Sequence, residues 1–435
     1  MARWKQVAVG AFALALVTAL VPSTATSAAP PPAAAPQPAA APNGTDDFAE
    51  EAAGFAKERG ITEAEARKRM AWQLVAPDLD ARLTTDLGSR YGALWIDVRN
   101  GDRVTIGVTG TVDAAAQATV KAATAAFGLT VYDLIPVKRS WAKLSADNDW
   151  LAGEVIRVNA GATVMLSAGI RTDLNAVQVG VPADGVLTAA QKAFVEAART
   201  RLGAGLVLGT SPSRGFEAFA GCDSPYCDPP LRGGVKINYP GVTACTLGFI
   251  AQSKVDSKKY MVTAGHCAMD RLGNWWSKNA GLSEFKVGAV HHWIFDTYIG
   301  DMAIIRIDDP SAIGWNPQPW VMVTWGLSTT ENFTYHISSD NMSVVGMRIC
   351  TTGMKTRMSN CSYVTELGLT ANLDGLPMRN LGRTDNCSQH GDSGAPMYAS
   401  HVGYGILVGG VEGDCDTVYQ GIRTVERELN VNILH

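Results

Sequence analysis

All eight cysteines of this 435-residue chain fall in its second half, at Cys222, Cys227, Cys245, Cys267, Cys350, Cys361, Cys387 and Cys415. Cross-links constrain only the part of a chain that carries them, so the sequence divides near residues 212–222. An even cysteine count suits disulfides in an exported protein. The spacings lack paired C-x-x-C units, so neither a metal nor a cofactor is expected.

The N-terminus fits export. Arg3 and Lys5 precede an apolar stretch, Val7 to Val21, and small residues follow at Ala25 to Ala28. This is the pattern of a signal peptide, assigned to residues 1–28. A Pro/Ala tract makes residues 29–44 an extended linker. No later apolar run is long enough to cross a bilayer. A net charge of −4 gives no sign of the basic face that nucleic-acid binding requires.

Residues 45–220 read as α+β. Thr62 and Glu65 have the capping-box form ahead of ITEAEARKRMAWQLVA, a helix expected to end before Pro77. LWIDVRNGDRVTIGV alternates around Asn100-Gly101, which predicts a hairpin. A strand–helix–strand pattern then occurs twice, over VTIGVTG to LTVYDLI and over AVQVGV to GLVLGT. The second helix carries a capping box at Thr188 and Gln191. A cysteine-free region of this kind, in an exported chain, makes sense as a segment that is used and then removed.

Residues 221–435 change character. YMVTAG, FKVGAVHHW, DMAIIRI, SVVGMRIC, SYVTELGL, YGILVGGV and TVYQGI read as short strands; only RTVERELNV has helical character. Many short strands between turn signals indicate a sandwich or barrel.

Within this part, SQHGDSGAPM sets Ser393 among small residues. That composition fits a surface turn and also a nucleophile on a tight loop. A neutral hydroxyl needs a base, and the base needs a third group to orient it. His266, in MVTAGHC, ends an apolar strand next to a cysteine. Asp301, in GDMAIIR, opens another, where a buried acid is costly unless paired. Each alone fits a structural histidine or a turn acid. Together they supply base, orienter and nucleophile in the chain order His, Asp, Ser, one of the known solutions.

TAGHC, DMAIIR and GDSG, in this order, resemble the three signatures of chymotrypsin-fold serine proteases. Ser-Gln-His between Cys387 and Gly391 is closer to the bacterial streptogrisin and alpha-lytic branch. The resemblance implies an all-β, trypsin-like protease domain of two six-stranded antiparallel β-barrels over 221–435, preceded by an α+β pro-domain over 45–220. It implies a secreted, monomeric serine endopeptidase made as a zymogen and acting on protein or peptide substrates through an acyl-enzyme. The pro-region would serve as intramolecular chaperone and inhibitor, its tail (Leu206 to Ala220) lying across the active site.

By position, Ser393 would be the nucleophile, His266 the general base and acid, and Asp301 the orienter. The N–H groups of Gly391 and Ser393 would form the oxyanion hole, with Asp392 a structural acid and His390 at the rim. The family's bridges imply Cys245–Cys267, Cys350–Cys361 and Cys387–Cys415, leaving Cys222–Cys227. Leu407, Val408, Gly409 and Gly410 would pair with substrate backbone. Asp385 or Asp416 would favour Arg or Lys on the acyl side.

The chain departs from the resemblance at Ala395, where relatives commonly have Gly, and at Val408, where they have a serine that helps hold the triad acid. It also has Thr351 where many place a base facing the structural acid, with Arg348 the nearest cation. Two other readings therefore stand beside the protease: a catalytically weak or inactive protease-like decoy, and a pocket for esters or a single partner protein.

Overall fold

The helix that opens at Thr62 runs through the proline expected to end it. It spans Glu63–Leu87, with Pro77 inside. Thr62 Oγ1 accepts from Glu65 N at 3.2 Å, while the Glu65 side chain pairs with Arg69 at 2.9 Å rather than returning to the cap. Proline inside a helix costs about 3 kcal/mol. Burial opposes that cost here, since Ala76, Leu79 and Leu83, on the same stretch, are completely buried.

The structure, a computed structural model, describes residues 49–211, 230–239, 243–278, 284–308, 316–324, 331–357, 359–411 and 413–435. All of these belong to one compact unit, Ala40–His435. The expected signal peptide, linker, Cys222–Cys227 bridge and junction at 212–222 lie outside the described residues.

The N-terminal part is α+β and contains the same supersecondary unit twice. Tyr91–Asp97 and Arg103–Thr109 form the expected hairpin, turning at Gly101 with φ 72°. The helix Ala114–Ala126 then returns the chain to Asp133–Val137, parallel to Arg103–Thr109. In the second unit, Ser167–Arg171 and Ala176–Pro182 are antiparallel, and the helix Ala189–Leu202 leads to the parallel strand Leu206–Ser211. Both bonds of the Thr188–Gln191 capping box are present.

The C-terminal part is β-rich, and its ladders return on themselves. Lys236–Tyr239 pairs with Thr243–Thr246 and with Asn274–Lys278. From Asn274–Lys278 the pairing passes to Glu284–Asp296, Gly300–Arg306, Lys259–Thr263 and Ile250–Ser253. Leu247 N donates to Val235 O and Val262 N to Phe249 O, so the segment joining Thr246 to Ile250 completes a first ring. A second ring runs through Arg348–Thr351, Pro396–Ala399, Val402–Gly410, Thr417–Gly421, Leu376–Thr384 and Asn360–Leu373, which pairs back to Arg348–Thr351. The helix Ile422–Glu428 carries the chain from the second ring to Val431–Ile433, on the edge of the first.

The N-terminal part is built into this second ring. Ser167–Arg171 pairs with Asn360–Leu373 and extends its sheet. Ile96 N donates to Val345 O at 3.0 Å, and Leu79, Leu83 and Val104 share one core with Met347, Met397 and Tyr404. The buried carboxylate of Glu51 accepts from the N–H of Ser400 at 3.0 Å. Ser400 and His401, at φ 49° and 65°, form the turn that joins Pro396–Ala399 to Val402–Gly410.

One boundary contact carries a pH dependence. Glu366, 2% exposed, accepts from Gln178 Nε2 and from Arg383, both at 3.2 Å. Gly169 leaves it room, since a Cβ there would lie 2.4 Å from Oε1. Burial pushes the Glu366 carboxyl upward, and Arg383 and Arg171 only partly oppose it. A folded-state pKa above the unfolded value means that the folded chain holds the proton more tightly. The contribution is therefore complete below the ordinary range near about 4.3 and is lost as pH rises through the raised value. In thermal unfolding of the full chain between pH 4 and 7, Glu366→Gln should gain on the parent as pH rises. A difference independent of pH would refute this.

Candidate active site

Three loops meet at the seam between the rings. His266 lies on the short helix Gly265–Ala268, directly after the strand Lys259–Thr263. Only glycine fits before it, since a Cβ on Gly265 would lie 1.8 Å from the carbonyl oxygen of Ile294. That close packing fixes the backbone from which the imidazole projects. Phe295 meets the ring edge-on, with centroids 6.1 Å apart.

Asp301, at the start of Gly300–Arg306, has no solvent exposure. Its carboxylate holds His266 at two points: Oδ1 accepts from the backbone N–H at 2.8 Å, and Oδ2 lies 2.6 Å from Nδ1. The backbone bond fixes which oxygen faces which group. The carboxylate that the sequence marks as costly is thus paired. Val408, where the resemblance expects a serine, is completely buried in a core that draws residues from both rings.

Ser393 arrives from the second ring and is fully buried. Cys267 Sγ lies 3.7 Å from His266 Nε2 and 4.0 Å from the carbonyl oxygen of Ser393, so the imidazole and the serine flank one sulfur. That sulfur belongs to the Cys245–Cys267 disulfide. Cys245, His266 and Cys267 bring ligand-type atoms within 4.8 Å of one another, but the two sulfurs are bonded to each other and offer no thiolate to a metal. Cys350–Cys361 and Cys387–Cys415 are also formed, in the pairing the resemblance implies.

The serine loop is held mainly by backbone bonds. Gly391 has φ 110° and Gly394 φ 89°, conformations that favour glycine. At Gly394 a Cβ would also lie 2.1 Å from Thr263 Oγ1. Thr246, on the facing strand, donates its N–H to Ser393 O and its hydroxyl to Gly391 O, both at 2.8 Å. Gly394 N donates to Leu407 O at 2.7 Å and Leu407 N to Ala395 O at 2.8 Å. The backbone of Leu407 is therefore engaged by the loop itself.

Asp392 is buried and, among the described residues, is held without a cation. Its Oδ1 accepts from the N–H groups of Lys355 and Thr356 at 2.8 and 3.1 Å, and Oδ2 from Gln389 N at 2.9 Å. Burial raises its pKa, and these donors resist the rise. Arg348, the nearest cation in sequence, turns away and pairs with Glu58 of the N-terminal part at 3.0 Å. Lys355 and Thr356 thus supply backbone donors where the resemblance expects a basic side chain. Gly353 makes room, since a Cβ there would lie 2.0 Å from Asp392 Oδ1.

The two acids considered for specificity differ. Asp416 is gripped by Arg383 at 2.7 and 2.6 Å, which neutralises it. Asp385 is exposed, and among the described residues no donor reaches its carboxylate. Partial burial and the nearby Asp416 push its pKa up. His390 is half-buried next to Gly391. Thr246, Gln420 and the donors to Asp392 were not foreseen from sequence; each acts through a contact far along the chain that no local pattern marks.

An imidazole braced by a buried carboxylate, with a serine beside it, is the equipment of a nucleophilic hydrolase. No family model matches the chain. Glutamyl endopeptidase 2 of Streptomyces griseus is 33% identical over 171 residues, 39% of this chain and 81% of that protein. Serine protease 1 of Rarobacter faecitabidus is 25% identical over 384 residues, 88% of this chain, which spans 63% of that relative's length. Streptogrisin-C of Streptomyces griseus is 24% identical over 416 residues, 94% of this chain and 77% of that protein. The chain belongs to this streptogrisin-type family of bacterial serine endopeptidases.

Proposed function

We propose that the protein is a secreted serine endopeptidase whose nucleophile, base and orienter are Ser393, His266 and Asp301. The observation that carries this reading is the two-point hold of Asp301 on His266, beside Ser393. Asp301 keeps the proton on Nδ1, leaving Nε2 to take the proton of Ser393 Oγ as it attacks the peptide carbonyl. The imidazolium then protonates the leaving amine, and water repeats the cycle on the acyl-enzyme. The N–H groups of Gly391 and Ser393 stabilise the oxyanion.

The two closed ladders are the barrels of a trypsin-like fold, and residues 45–220 are a pro-region that assists folding and inhibits until removed. Its strand addition at Asn360–Leu373 supports that role. Long-range β pairing folds slowly, and a template docked on such a strand shortens the search. The remaining edge at Val408 to Gly410 receives the substrate backbone.

On the acyl side, Asp385 favours Arg or Lys, with Asp416 neutralised by Arg383. A second reading, preference for an acidic residue, is favoured by the name of the 33% identical relative, a glutamyl endopeptidase. One experiment tests both levels. The secreted product of the full chain should react with a fluorophosphonate, and the Ser393→Ala product should not. Paired peptide amides ending in Lys or Glu then separate the preferences, with Asp385→Asn abolishing the first. A folded parent that the probe never labels would instead make the protein a decoy.

A further inference from the structure

We infer that Gln420 is a positioning residue for Asp301, an inference that rests on the triad proposed above. Gln420 lies on Thr417–Gly421, in the second ring, between Leu381 and Ile406. It is completely buried. Its side chain crosses the seam, and Oε1 accepts from Asp301 N at 3.3 Å. Gly300 is shaped to admit it: φ is 136°, and a Cβ would lie 2.2 Å from Gln420 Oε1.

The amide orientation follows from chemistry. A backbone N–H only donates, so oxygen must face Asp301 and nitrogen must face away. Gln420 Nε2 is buried and, among the described residues, has no hydrogen-bond partner. A buried donor without a partner is unfavourable, and such groups call for an explanation. Methionine, of similar length, would fill the same space without that cost. Seating Asp301 is what the amide does and an apolar chain does not.

The same strand reaches the nucleophile loop. Thr417 Oγ1 donates to Asn386 O and lies 2.7 Å from Ser388 Oγ, just upstream of Ser393. One strand therefore sets the approach to the serine at its first residue and the backbone of the acid at its fourth. Asp301 belongs to the first ring and Ser393 to the second, so Gln420 ties the acid to the ring that carries the nucleophile. A small displacement of Asp301 moves His266, which it holds at two points.

The test compares Gln420→Met and Gln420→Glu with the parent, each produced as the full chain and assayed on the secreted species it yields. Gln420→Met should melt at or above the parent temperature while kcat falls roughly 10-fold or more at little-changed KM, the size expected when a catalytic group is slightly misplaced. Gln420→Glu keeps an acceptor oxygen, so its kcat should return to within about threefold of the parent. A Gln420→Met kcat within twofold of the parent would overturn the inference. So would kcat and melting temperature falling together in both variants, which marks a purely structural role. A parent that is neither active nor labelled by a fluorophosphonate would instead remove the triad reading itself.

Discussion

Replacing Asp301 by asparagine should lower kcat by about 10⁴-fold, with little change in KM or melting temperature. The size follows from how this carboxylate is held. Its Oδ1 accepts from the backbone N–H of His266, so in asparagine that site must still be filled by oxygen. The amide nitrogen then takes the place of Oδ2, 2.6 Å from Nδ1, and donates where the carboxylate accepted. Nδ1 becomes an acceptor, the ring proton moves to Nε2, and Nε2 can no longer take a proton from Ser393. Steady-state kinetics on peptide amides would check the rate, and thermal unfolding would check that the variant folds. A loss below about 10-fold would mean that His266 is not the base.

The resemblance rested on the three short motifs, and the contacts that support them were not legible. Each motif announces its role locally: a glycine packed under His266, an acid at the head of a buried strand, glycines at positive φ around Ser393. The Asn100-Gly101 hairpin and the Thr188–Gln191 cap were legible for the same reason, because their geometry is decided within a few residues. The helix through Pro77 was not, because local proline chemistry yields to the burial of Ala76, Leu79 and Leu83. Strand Leu376–Thr384 went unread because Pro377 and Gly382 interrupt its pattern, and Asn380 sits at φ 59°. It is specified by pairing with Asn360–Leu373 and Thr417–Gly421. Gln420 and Glu366 depend on partners more than a hundred residues away, at Asp301 and Gln178.

Asp392 separates what the loop needs from what the family pattern suggests. Asp392→Ala leaves the N–H groups of Lys355, Thr356 and Gln389 without their acceptor. At about 1–3 kcal/mol for each buried donor, reduced where water enters, the cost should be about 2–4 kcal/mol. The same loop positions Gly391 and Ser393, so kcat should fall by about 10²- to 10³-fold, as when an oxyanion donor is lost. Asp392→Asn should be milder: its oxygen stays on the Oδ1 side with two donors, and only the Gln389 contact becomes donor against donor. Arg348→Met supplies the contrast. Were Arg348 the partner of Asp392, its loss would reproduce the alanine phenotype. Because it pairs with the partly exposed Glu58 instead, kcat should be unchanged and stability should fall by no more than about 1 kcal/mol. Denaturant unfolding with kinetics on the three variants would decide, and an Arg348→Met enzyme as impaired as Asp392→Ala would refute the backbone cradle.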